Sequence, residues 1–183
     1  AKVERKTVLP QEAKPAAAVY QPGTFGYDLR FLNAHQKTVV LKRDDAMIAL
    51  IPGYQGRVMT SASSGMSGMS YGWINYQLIE SGKKAAHFNN YGGEERLWLG
   101  PEGGQFSIFF APGVPFNFEN WQVPAPIDTD TFNLIAANDT MAFFRKDIRL
   151  VNYNNVRFNL KIDRTVTLLT RSQVAARTSM SLP

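Results

Sequence analysis

Phe25, Leu29 and Leu32 recur at the spacing of one helical face, with Phe31 beside them. Thr24 stands ahead of them as an N-cap and Asp28 lies in the first turn. This predicts a short helix over 25–35. Beyond His35 the period changes. Residues 38–41 and 46–51 are short apolar runs around the polar Lys42-Arg43-Asp44-Asp45, which predicts a β-hairpin. Pro52-Gly53 and Gln55-Gly56 mark turns, and 57–61 reads as a third strand. The small polar run 63–68 reads as a surface loop. Ile74, Leu78 and Ile79, closed by Gly82, predict a short helix with a glycine cap, although the same stretch also alternates weakly.

The second half is written in a period of two. Residues 97–99 and 106–110 are expected strands around a Gly-Pro-rich turn, and the proline-studded stretch 111–126 is a long irregular excursion carrying Trp121. Further strands are expected at 131–136, 141–145, 156–162 and 166–169, with turns at Asn138-Asp139 and Asp163-Arg164. Val156, Phe158, Leu160 and Ile162 alternate with Arg157, Asn159, Lys161 and Asp163, the pattern of an antiparallel strand buried on one side. No βαβ alternation occurs. The fold expected over 24–183 is all-β, a mainly antiparallel β-sandwich with one or two short helices. Residues 1–23, with three prolines and an alanine run, read as an extended or disordered tail.

Composition narrows the chemistry. The chain has 183 residues, room for one ordinary domain, with 44% apolar and 19% charged residues. It holds no cysteine, which excludes disulfides, zinc–thiolate sites and cysteine nucleophiles. His35 and His87 are its two histidines, so a three-histidine metal site is excluded, and no acidic loop has calcium-ligand spacing. No metal or cofactor is therefore expected. The net charge of +5 comes from scattered pairs such as Lys42-Arg43 and Lys83-Lys84, not the clustered face of a nucleic-acid binder. No apolar run is long enough to span a membrane. The first residue is Ala rather than Met, so an export signal already removed is expected.

The densest polar segment is 87–104, with His87, three carboxylates (Glu94, Glu95, Glu102), Arg96, Trp98 and five glycines. On an extended strand Arg96 and Trp98 share a face, and Glu102 joins them after the turn. An aromatic platform beside charged groups is chemistry for a sugar. The alternative is a core Trp98 with a structural Glu95–Arg96 ion pair. Acid–base candidates are His87, Glu94, Glu95 and Glu102. Gly92-Gly93 and Gly103-Gly104 match neither phosphate-cradle motif. Gly65-Met66-Ser67-Gly68 lacks the setting of a nucleophile elbow. Two further clusters place tryptophan beside amides, Trp73 with Asn75 and Trp121 with Asn120 and Gln122, and fit binding or core roles equally.

The segments 56–61, 72–75 and 91–105, together with 120–125 and 163–166, resemble a group of exported Bacteroidetes proteins related to the galactose mutarotase (aldose 1-epimerase) superfamily. The likeness runs from about Thr24 to Leu169. It implies a β-supersandwich, sugar recognition or conversion, a periplasmic or cell-surface location, and a chain about twice this length. Mutarotases use a histidine acid and a late glutamate base. The histidine motif is not found around His87, and the late region lies beyond Pro183. The expected function is carbohydrate binding through Arg96, Trp98, Glu102, Trp73, Asn75 and Trp121. A sugar epimerase using His87, Glu95 or Glu102 is the second option and an assembly domain the third. The expected partner for the strand edges is a missing C-terminal half or a second copy of the chain.

Overall fold

The computed structural model describes residues 18–180. Helix α1 (Phe25–His35) begins where expected. Thr24 accepts the Tyr27 amide at its hydroxyl, and Phe25, Leu29 and Leu32 face the core. Of the expected tail over 1–23, residues 1–17 lie outside the described residues; 18–23 are mostly exposed, with Tyr20 half-buried against α1. The Tyr20 ring lies so close over Gly26 that a Cβ there would stand 2.5 Å from it.

Two three-stranded antiparallel sheets follow. The first contains β1 (Val39–Arg43), β2 (Ala46–Ile51) and β3 (Arg57–Ala62) in that order. Its hairpin turns on Asp44-Asp45, with Asp44 in the left-handed region at φ 53. Pro52–Tyr54 form a 3₁₀ turn, and Gln55 and Gly56 then reverse the chain with positive φ. Gly56 is required there, because a Cβ would stand 2.8 Å from the Phe144 ring. The short helix α2 (Tyr76–Ser81) has Asn75 as N-cap and Gly82 as its left-handed C-cap. Asp28 of α1, buried, accepts the hydroxyls of Ser70 and Tyr76, so one carboxylate ties α1 to the loop and to α2.

The second sheet contains α3's successor strands. After α3 (Ala125–Asp128) come β4 (Asn133–Ala137), β5 (Met141–Val151) and β6 (Arg157–Thr167), ordered β4-β5-β6. Asn138 makes the β4–β5 turn by accepting the amides of Thr140 and Met141. Leu41, Leu50 and Val58 of the first sheet share one core cluster with Phe132, Ala142 and Phe144. The chain is thus β-rich, with two antiparallel sheets and a few short helices.

Three expectations are corrected. Residues 97–99 and 106–110 form no strands; with most of 83–117 they are irregular backbone, because the glycines and prolines between them leave no run long enough to pair. Asp163-Arg164 is not a turn. It lies inside β6, which runs unbroken through the two expected strands because both residues pair with β5, Asp163 opposite Arg145 and Arg164 opposite Phe144. The apolar face of 156–162 is not buried: Val156 is 49% exposed, and Phe158 and Leu160 are each 36% exposed. Finally, the stretch after Thr170, which carries no strand or helix expectation from the sequence, is helix α4 (Arg171–Thr178), started by a capping box between Thr170 and Gln173.

Candidate functional site

Segment 91–95 is held by backbone on both sides. Gly93 donates to the Trp73 carbonyl (2.8 Å), Asn75 to the Tyr91 carbonyl (3.1 Å), and Glu94 to the Val58 carbonyl (2.9 Å). Such close approach needs glycine. At Gly92 (φ 89) a Cβ would stand 2.2 Å from the Trp73 carbonyl oxygen. At Gly93 (φ 107) it would stand 2.7 Å from the Arg57 side chain. The stretched segment therefore presses on the Arg57 stem and leaves the Trp73 indole, 58% exposed, at the surface.

A cleft of about 250 Å³ opens here, walled by Trp73, Phe88, Asn90, Glu94, Glu95 and Arg96, with Arg57 and the two glycines also lining it. Glu95 accepts the Val58 amide (2.9 Å) and pairs with Arg164 of β6. Arg164 also donates to the Gly56 carbonyl, so the second sheet helps fix the cleft wall. Glu94, exposed, accepts the Ser61 hydroxyl at 3.0 Å.

Arg96 is the hub behind the cleft. Its guanidinium lies between two rings, 4.5 Å from the Phe88 centroid and 4.6 Å from that of Trp98. Its Nη2 donates to Asp128 Oδ1 (2.8 Å) and to the Ile127 carbonyl (2.9 Å). Asp128, 4% exposed, also accepts the Asn89 amide (3.1 Å) and Asn89 Nδ2 (2.7 Å). Burial lowers the Arg96 pKa, and the Asp128 carboxylate opposes that shift.

Arg57, 2% exposed, donates to the Gly92 carbonyl (2.8 Å) and to Gln55 Oε1 (3.0 Å). Burial, reinforced by the positive charge of Arg96, brings its pKa down to about 10. It remains charged at neutral pH.

The expected site residues divide among three places. Arg96, Trp98 and Glu102 stand together, with Trp98 Nε1 donating to Glu102 Oε1 (2.7 Å), but through ring stacking and this hydrogen bond rather than strand alternation. Of these three only Arg96 reaches the cleft with Trp73 and Glu95; Trp98 is half-buried against Phe109. Asn75 caps α2 and donates to the Asn90 carbonyl (3.0 Å), which positions the cleft wall. Trp121 lines a separate shallow cavity of about 400 Å³ with Phe110, Phe116, Asn117 and Phe118. His87 belongs to that region, its Nδ1 2.6 Å from the Trp121 carbonyl and its ring 4.8 Å from Phe118.

Arg57, Asn89, Asp128 and Arg164 were not singled out from the sequence. No local signal joins Asp128 to Arg96 across 32 residues. Among the described residues no three His, Asp or Glu side chains converge as for a metal ion. No helix among them is long and apolar enough to cross a membrane.

A family model matches residues 23–183. The chain belongs to DUF6786, a family of unknown function. The match covers both sheets, the cleft and α4. No curated protein and no solved structure matches this DUF6786 chain.

Proposed function

We propose that this DUF6786 chain binds carbohydrate in the Trp73–Arg96 cleft. The observation that carries the reading is the exposed Trp73 indole, backed by Gly92, at the mouth of a cleft whose other walls are an amide, two carboxylates and a guanidinium. An indole offers a flat apolar surface to the C–H face of a sugar ring, and the surrounding groups suit its hydroxyls. Asn90 and Glu94 are exposed and able to take hydroxyl hydrogen bonds, whereas Arg96 is largely committed to Asp128. The reading places the two sheets as layers of a β-sandwich, of the kind found in galactose-mutarotase-like supersandwiches.

The test is a glycan array probed with the full chain, followed by titration of a hit. Trp73→Ala is expected to weaken binding about tenfold, through loss of roughly 1–1.5 kcal/mol of stacking. The fold should be unchanged, since the indole is mostly in solvent. An empty array, or an unaltered titration with folded Trp73→Ala protein, would sink the proposal.

One observation favours an assembly role alongside binding. β6 is an eleven-residue edge strand, paired to β5 on one side. Among the described residues no other backbone hydrogen bond reaches it. Long open edges with exposed apolar residues invite strand addition. We infer that β6 takes up a further strand. The occupant we propose is the same strand of a second copy of the chain. Antiparallel pairing centred on Ile162 sets Lys161 opposite Asp163 of the other copy, twice over. Light scattering at low micromolar concentration is expected to show dimer, and Phe158→Lys with Leu160→Lys to return it to monomer. A 20.5 kDa monomer for the parent chain would rule out the pairing.

A further inference from the structure

We propose that the sugar taken by this cleft carries an anionic substituent, a uronate carboxylate or a sulfate ester, drawn by Arg57 and Arg96. The inference rests on the carbohydrate reading and adds the charge class of the ligand. Two arginines, Arg57 and Arg96, are among the residues that line the cleft. Arg96 has its counter-ion in Asp128. Among the described residues Arg57 forms no ion pair, and both its hydrogen bonds go to neutral oxygens, a backbone carbonyl and an amide. The nearby Glu95 is already paired with Arg164. The Nε atoms of both Arg57 and Arg96 are buried without a hydrogen-bond partner.

Natural proteins pair buried charges and satisfy buried donors, because water no longer solvates them. A buried guanidinium with no ion pair of its own among the described residues, beside a second one, is the arrangement an incoming anion completes. Its field acts across the cleft whether or not the anion touches the Nε groups directly, since the low-dielectric walls screen it little. The opposing charges are Glu95, already paired with Arg164, and Glu94 at the rim, both exposed and therefore screened by solvent.

The test uses the full chain and three probes of equal length: an oligogalacturonate, the same oligomer with its carboxylates reduced to alcohols, and a sulfated galactan fragment. At least one anionic probe is expected to bind about tenfold more tightly than the neutral one, as a charge-assisted contact predicts. Which anionic probe prevails identifies carboxylate or sulfate as the group recognised. The anionic-to-neutral ratio is expected to fall with added NaCl and in Arg57→Gln. In Glu94→Gln, a rim substitution that leaves the buried framework in place, the ratio is expected to rise about threefold. Equal binding of all three probes, lost in Trp73→Ala, would overturn the anion inference and leave the carbohydrate reading standing. An anionic preference unchanged in folded Arg57→Gln protein would place the charge elsewhere and overturn it too. No binding to any probe or to a glycan array would remove both.

Discussion

Asp128→Ala is expected to destabilise the protein by about 3–5 kcal/mol, as breaking one side of a buried ion pair does. The carboxylate is 4% exposed and accepts from Arg96 and twice from Asn89. Its removal leaves a guanidinium between two aromatic rings without its ion-pair partner, close to the more deeply buried Arg57. It also releases Asn89, whose side chain holds both the amide and the carbonyl of Ala85. Asp128→Asn keeps the shape and an acceptor, so a smaller loss is expected. Urea denaturation checks both, with a lower midpoint and an unchanged slope. An alanine variant within about 1 kcal/mol of the parent would show that stacking alone holds Arg96, since a loss that small is ordinary for a surface change. Because Arg96 forms a wall of the cleft, ligand affinity should fall with stability.

Phe144→Ala is expected to cost about 3–5 kcal/mol through lost burial and the cavity left behind. Phe144 is fully buried in β5 and its ring packs directly beneath Gly56, where the first sheet turns into β3. It shares a cluster with Leu41, Leu50 and Val58, so the void would open between the two sheets. Phe144→Leu, which retains most of the apolar volume, should cost under about 1.5 kcal/mol. Both variants are expected to unfold in a single transition, seen by circular dichroism and by fluorescence alike. Two separated transitions would show that the sheets are independent units and that the cluster does not join them.

Much of the local structure was legible from the chain. The α1 boundaries follow from Thr24, Asp28 and one apolar face, and the first three strands from short apolar runs bounded by turn residues. These are contacts among near neighbours, and side-chain period, capping and positive-φ turns report them directly. The sequence also drew attention to the segment 87–104, part of which lines the cleft, because glycines, carboxylates and aromatics are concentrated there.

What only the tertiary structure decided is who meets whom. Alternation along 96–98 suggests a strand, yet among the described residues no backbone pairs with it, and Arg96 reaches Trp98 by stacking. Asp128 lies 32 residues from Arg96 and Arg164 lies 69 from Glu95, separations at which no periodicity carries information. The alternating face of β6 read as buried because a period of two specifies which residues share a face, not what covers it. In its local company of polar residues Trp73 reads like Trp121, an even choice between binding and core, and stands behind Trp98 as a site candidate. Its place at the mouth of the cleft follows from Gly92 and Gly93 letting a distant backbone approach within hydrogen-bonding distance. Local sequence determines the shape of each element through torsions and nearest neighbours. The cleft arises from long-range packing between elements, which is where its charges acquire or lack partners.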